Sequence, residues 1–272
     1  MTNKKRLKAL CKILKKIVFY PKSIFLVLKD ESEYQMKLKK KYGINEFPTV
    51  DIREFLYENK AEVDHYTFLD GTSLITDLAL IRSIARSIPN CNYLEIGTWR
   101  GESIMNVAIE AKHCTSVNLS PDEIIAMGMP EKYALQHGCL IQNQPNITTI
   151  HANSNFFDFN SLDQKFDLIF IDADHSYEGV KSDTEKIFSL LRDDNSIIVW
   201  HDYGFNTETP RYSVIAGILD GLPQEAHQSL YHVSNTMCAV YTKRKLETVK
   251  AQEILIPDKI FLINFNVNPT NQ

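Results

Sequence analysis

The pattern of apolar and polar positions changes period along the chain. Leu7, Leu10, Cys11, Leu14, Ile17 and Val18 recur at helical spacing while lysines fill the positions between them, which predicts a basic amphipathic helix ending near Pro21. From 46 to 65 the pattern is irregular. Thr72-Ser73 then open a second helical segment in which Leu74, Leu78, Ile81, Ile84 and Ile88 share one face. After Pro89 the period becomes that of strands, and strands alternate with helices as far as Trp200. The strands are expected at 93–96, 115–119, 147–151, 166–171 and 197–200, with helices over 102–111 and 178–191. Another helix start stands at Ser120-Pro121-Asp122-Glu123, where a serine cap, a proline in the first turn and an acid at the third position coincide. Short apolar strands alternating with helices imply an α/β fold, with a mostly parallel sheet covered on both faces. Strands at 230–233 and 237–242, separated by Ser234-Asn235-Thr236, add an antiparallel hairpin at one edge and bring the expected total to seven.

Composition sharpens this picture in two ways. With 272 residues, 44% hydrophobic and 24% charged, the chain has the apolar material for a large core, which excludes disordered, collagen-like and disulfide-scaffold classes. The net charge of −4 conceals a division: residues 1–41 carry 13 basic side chains against three acids, or +10, leaving −14 for the remainder. The basic segment suits attachment to an anionic membrane surface, or packing of its stripe on its own protein or on a second subunit of a homo-oligomer. The apolar run 24–28 is too short for a signal-peptide core or a spanning helix. Five scattered cysteines without C-x-x-C spacing suggest neither a disulfide framework nor a zinc knuckle, so the expected location is the cytoplasm, or the inner face of its membrane.

In an open parallel sheet, ligands bind beyond the carboxyl ends of the strands. The first such turn reads Glu95-Ile96-Gly97-Thr98-Trp99-Arg100-Gly101-Glu102-Ser103. Its G-x-x-x-G spacing is neither the G-x-G-x-x-G of dinucleotide binders nor a P-loop, and the acid ahead of it suits a cationic ligand. The fourth strand ends in Asp172-Ala173-Asp174-His175-Ser176-Tyr177-Glu178-Gly179 and the fifth in His201-Asp202-Tyr203-Gly204. Acids and histidines at two adjacent strand ends are the material of a divalent metal site with a general base, or of helix caps and surface loops. Trp99, Tyr177, Trp200, Tyr203 and Phe205 stand near the same ends and are candidates for stacking on a substrate ring, and 207–228 for covering its pocket.

These motifs, in this order over roughly 70–243, resemble the class I S-adenosylmethionine-dependent methyltransferases, and within them the bacterial small-molecule and sugar O-methyltransferases. The resemblance implies a Rossmann-like seven-stranded domain at 91–245, preceded by a basic helical arm (1–45) and a helical lead-in (46–90) and followed by an extension (246–272). It implies S-adenosyl-L-methionine held by Glu95, Gly97, Thr98, Gly101, Ser103, Asn118, Leu119, Asn153, Ser154 and Asp172. It further implies a magnesium or other divalent ion on Asp172, His201 and Asp202, and His175 as the catalytic base. Two positions depart from the pattern. Asn118 stands where the family has a ribose-binding acid, and Ala152-Asn153-Ser154 where it often has Gly-Asp-Ser.

The expected activity is methyl transfer to a hydroxyl of a small molecule or a glycan sugar, with metal assistance. The alternatives are a catalytically inactive scaffold on the same fold and a metal-dependent hydroxylation. Nucleic acid is not an expected specific partner, because the remainder carries −14 and lacks the Asn/Asp-Pro-Pro-Tyr/Phe run of base methylases.

Overall fold

The computed structural model describes residues 31–249 and 257–268, so the apolar stripe 7–18, Pro21 and the run 24–28 lie outside the described residues. In chain order the first elements are α1 (Glu31–Tyr42), β1 (Thr49–Val50), α2 (Ile75–Ser87), β2 (Asn92–Ile96), α3 (Glu102–Ala108), β3 (His113–Asn118), α4 (Pro121–Ala126) and α5 (Glu131–Ala134). They are followed by β4 (Ile147–His151), β5 (Leu168–Ile171), α6 (Tyr177–Ile187), β6 (Ile197–Trp200), α7 (Tyr212–Gly221), β7 (Leu230–Val233), β8 (Ala239–Tyr241) and β9 (Thr248–Val249).

The strands form one sheet in the order β4-β3-β2-β5-β6-β8-β7-β1-β9. Strands β4 to β6 are parallel, and β8 runs antiparallel between β6 and β7. The expected class therefore holds, but the count is nine among the described residues and the hairpin is not an edge. β1 adds to β7 in parallel and β9 to β1 antiparallel. Strands of two residues are too short to leave a period-2 signal, which is why the stretch around 46–65 reads as irregular. Two helices also end early. α3 stops at Ala108, and α6 stops at Ile187 before a 3-10 turn over Phe188–Leu190.

Alternation along the buried strands splits the core in two. Leu94, Ile96, Ile169, Ile171, Ile198 and Trp200 face α6, α7 and α1, whereas Tyr93, Leu168, Phe170, Val199 and Val240 face α2 and α3. Strand β2 lies between β3 and β5, so the chain leaves it in opposite directions on its two sides. That switch leaves a crevice at its carboxyl end, and the Gly97–Gly101 turn stands there.

The described part of the basic segment is bound to this unit. Leu38 of α1 is 0% exposed in the core shared with α6 and α7. Asp220 of α7 accepts from Lys37 Nζ at 2.7 Å, Lys41 Nζ at 2.5 Å, the Tyr177 hydroxyl at 2.6 Å and the Tyr42 hydroxyl. Glu31 in turn accepts from the Ser213 amide and hydroxyl in the first turn of α7, at 2.9 and 2.7 Å. No helix among the described residues is long and apolar enough to cross a membrane.

Candidate functional site

The turn after β2 is shaped by two glycines at positive φ. Gly97 (φ +86°) brings the chain so close to the end of β5 that a Cβ would lie 2.3 Å from the Asp172 carbonyl oxygen. Gly101 (φ +106°) starts α3 against Ile141, whose Cγ2 would be 2.5 Å from a Cβ. Glu95 and Ser103 lie beneath this turn. Glu95 is 0% exposed, with Oε2 accepting from the Tyr93 hydroxyl at 2.5 Å and Oε1 from Ser103 Oγ at 2.9 Å. Burial pushes its carboxyl up to about 7. Both oxygens are engaged inside the protein, so this pair holds the turn from below. Thr98 is buried as well, its hydroxyl 2.5 Å from Ser116 Oγ.

The ends of β3 and β4 complete the crevice. Asn118 donates through Nδ2 to His137 Nδ1 at 3.3 Å. The His137 ring packs on Trp99 and Tyr133, with centroids 4.7 and 5.4 Å away, and burial lowers its pKa, which keeps it neutral. The segment after α5 is tied to the glycine turn by Gly138 N to Trp99 O at 2.6 Å and Leu140 N to Arg100 O at 3.0 Å. Asn153 caps its own loop through the Asn155 amide at 3.0 Å, while Lys186 fixes the Ser154 and Asn155 carbonyls at 2.7 Å each. Trp99 Nε1 and His137 Nε2 are buried and without a hydrogen-bond partner among the described residues. A buried donor and a buried ring nitrogen left open in a strand-end crevice fit a polar ligand such as S-adenosylmethionine.

At the ends of β5 and β6 four side chains meet. His175 Nδ1 faces Asp202 Oδ2 at 3.0 Å, and His201 Nδ1 faces Asp172 Oδ1 at 3.0 Å and Asp202 Oδ2 at 3.8 Å. Burial opposes a charge on His175, but contact with Asp202 and the charge of Asp172 outweigh it and raise the pKa above the usual imidazole value. Burial likewise opposes the charge on Asp202, and His175 and His201 together overcome it, holding the carboxyl well below its usual range. Asp202 has φ +55°, a backbone state that aspartate tolerates better than most residues.

Of the residues expected to hold a metal, Asp172 and Asp202 converge with His175, and His201 is engaged through Nε2 with Asp77. His201 turns its Nε2 to a hydrogen bond with Asp77 Oδ2 at 3.0 Å, while its buried Nδ1 lies 3.0 Å from Asp172 Oδ1 without making a hydrogen bond among the described residues. The ligand atoms that do converge, all within 4.8 Å of one another, belong to Asp172, His175 and Asp202.

Most of the aromatic candidates prove structural. Trp200 is buried with its indole N–H on Thr184 Oγ1 at 2.9 Å, Tyr203 is buried and stacked on His232, and Tyr177 bonds to Asp220. Trp99 is half-buried against Tyr133 and His137, whereas Phe205 is 50% exposed with the Arg211 guanidinium 4.6 Å above its ring. Within the segment 207–228, helix α7 is buried from Ser213 to Leu219 against α1, while Arg211 ahead of it reaches toward Asp202. Three contributors escaped the sequence reading: Asp77, His137 and Arg211, whose Nη1 is 3.7 Å from Asp202 Oδ2. For Asp77 a signal existed. It shares the spacing of Ile81, Ile84 and Ile88, so a carboxylate stands on the core stripe of α2.

A profile described as a methyltransferase domain matches residues 94–203. No curated protein matches the chain. Among solved structures, the chain is similar to CalS10, an amino pentose methyltransferase of Micromonospora echinaspora, at 14% identity and a TM-score of 0.36 over 48% of this chain and 51% of that one. It thus spans about half the length of CalS10. It is also similar to the Podospora anserina methyltransferase PaMTH1, at 19% identity and a TM-score of 0.44 over 64% and 81% of the two chains. An O-methyltransferase from Bacillus cereus aligns at 16% identity and a TM-score of 0.42 over 64% and 84%. The matched stretch, which runs from the strand before the glycine turn to the His201-Asp202 pair, is similar to that methyltransferase domain.

Proposed function

We propose that the domain moves a methyl group from S-adenosylmethionine to a hydroxyl of a small molecule or a glycan sugar, with His175 as general base. The observation that carries this reading is the 3.0 Å approach of Asp202 Oδ2 to His175 Nδ1. A carboxylate on Nδ1 fixes the tautomer and leaves Nε2 as the accepting nitrogen, on a side chain that is 40% exposed at the strand-end crevice. S-adenosylmethionine, when bound, supplies a methyl group on a positively charged sulfur. Gly97, Thr98 and Gly101 would hold it at the turn, with Asn118, Leu119, Asn153 and Ser154 along the crevice and Asp172 facing its positive end. Asn118 keeps an acceptor oxygen for ribose hydroxyls without the charge of the usual acid, so affinity rather than cofactor identity is altered. His175 would take the acceptor's hydroxyl proton at Nε2 as that oxygen gains the methyl and S-adenosylhomocysteine leaves, and alignment of oxygen, methyl and sulfur would account for much of the rate gain.

The test is incubation with methyl-labelled S-adenosylmethionine and a panel of sugars, nucleotide sugars, catechols and phenols, read by mass spectrometry. The expected result is label on an acceptor oxygen, lost in His175→Ala. Label on nitrogen or carbon only, or no transfer to any member while the cofactor binds, would count against the reading.

A further inference from the structure

The parallel strands share one carboxyl edge, and β7 and β1 run the same way, so the turns after them stand beside the crevice. Large apolar side chains are exposed along that edge. The loop ahead of α2 is tied to the glycine turn and the start of α3. The Thr67 amide donates to Glu102 Oε1 at 3.0 Å, and Arg100 donates through Nη1 to the Asp70 carbonyl at 2.9 Å and through Nη2 to Thr72 Oγ1 at 2.6 Å. These bonds hold Phe68 at φ +56° with its side chain 66% exposed, beside an exposed Leu69. A left-handed backbone is costly for an aromatic residue, so firm anchoring that leaves the ring in water points to a contact surface.

Residues 257–268 extend the same surface. Lys259 Nζ lies 3.0 Å from Asp51 Oδ2 after β1 and donates to Asn235 Oδ1 after β7 at 3.2 Å, and further on the Phe265 ring meets that of Phe68 at 6.2 Å. The segment thus crosses the carboxyl edge from β7 to the loop beside β2, with Ile260, Leu262 and Phe265 84%, 88% and 71% exposed. Phe156 after β4 and Phe205 after β6 are exposed there too. At the opposite edge, exposed turns such as Asp193-Asp194-Asn195 are charged. Residues 1–30 join the carboxyl edge as well. They precede Glu31, which bonds to Ser213, two residues beyond the Arg211 that reaches toward Asp202. Nine basic side chains against one acid give them +8, and leave −12 for the rest of the chain.

We propose that this edge is a docking face for an anionic lipid bilayer, with residues 1–30 supplying the charge and Phe68, Leu69, Ile260, Leu262 and Phe265 entering the interface. Single apolar side chains scattered over a surface need no partner, but a contiguous set beside a strongly basic segment fits a membrane surface, which takes both. The acidic remainder is repelled by the same headgroups, so the domain is held with its crevice toward them. An isologous contact between two copies through this edge would instead set two +8 segments against each other. Docking of this face is independent of the reaction that the crevice carries.

The experiment is sedimentation of the full chain with vesicles of phosphatidylcholine alone, or of equal parts phosphatidylcholine and phosphatidylglycerol. The expected result is binding to the anionic vesicles and not to the neutral ones. Binding should weaken about tenfold or more in Lys12→Glu combined with Lys15→Glu and Lys16→Glu. It should weaken about as much in Phe68→Asn combined with Leu262→Asn, with no loss of melting temperature in either variant. Relative to the wild type, the tryptophan emission of Leu262→Trp should shift to the blue on adding anionic vesicles, whereas that of Ile109→Trp, beyond the far end of α3, should not. Absence of binding to the anionic vesicles would overturn the inference. So would full binding by the Phe68→Asn, Leu262→Asn variant with no blue shift in Leu262→Trp, which would leave the basic segment as the sole contact. A wild-type dimer in lipid-free solution that dissociates in the same double variant would overturn it too, by assigning the face to a second copy.

Discussion

Asp202 Oδ2 lies 3.0 Å from His175 Nδ1, joining the end of β6 to the loop after β5. A base held this way loses its proton at a pH above the usual imidazole value, and removing the acid should bring that pH down. His175→Ala is expected to lower turnover by about 10²–10⁴-fold, the range for loss of a general base, with S-adenosylhomocysteine affinity unchanged within about threefold. In Asp202→Asn the acid limb of the kcat/KM profile should move to lower pH. A limb that stays in place would show that another group governs it.

The buried carboxyl of Glu95 makes a stability prediction. Its pKa, raised by burial to about 7, means that the folded chain holds the proton more tightly than the unfolded one. The stabilisation is thus complete below about pH 4.5 and is lost as pH rises through about 7. Glu95→Gln carries no charge to desolvate. Between pH 5 and 8, wild-type stability should fall relative to this variant by roughly 3 kcal/mol, measured by urea unfolding. A constant difference across that range would refute the buried, protonated state.

The two glycines of the turn should differ in their tolerance of a side chain. At Gly97 a Cβ meets the Asp172 backbone at 2.3 Å, which cannot move without displacing β5. At Gly101 it meets the end of the Ile141 side chain, which can rotate. Both have positive φ, so each alanine costs about 1–2 kcal/mol from the backbone alone, and Gly97→Ala should add about 1–3 kcal/mol of overpacking. Melting temperatures in that order would support the close approach of β2 to β5, and equal losses would argue against it.

Helix α1 should act as part of the folded unit. A chain starting at residue 43 leaves Asp220 without Lys37, Lys41 and Tyr42 and exposes the surface that Leu38 covers. It should be less stable than a chain starting at residue 31 by roughly 2–4 kcal/mol, from one buried leucine and lost charge-assisted hydrogen bonds. Equal stability of the two truncations would mean that the helix rests on the domain without holding it.

What was legible follows from the range of the interactions involved. Strands β2 to β8 stood out because each is an apolar run bounded by turn residues, a local signal, and Ser120-Pro121-Asp122-Glu123 announced α4 through its own capping box. β1 and β9 did not, since two residues gain strand character only from the neighbour they pair with. Lys37 and Lys41 were legible only as part of the basic segment 1–41, because their acceptor, Asp220, is about 180 residues away. His201 looked like a metal ligand from its place after a strand. Its Nε2 hydrogen-bonds to Asp77, 124 residues earlier, which no local motif connects to it.

The most direct test of the account is calorimetric titration of the full chain with S-adenosylhomocysteine. The account predicts binding of one molecule per chain, weakened in variants of Gly97 and Asn118 that remain folded. A folded wild-type chain that gives no heat of binding beyond dilution would contradict it.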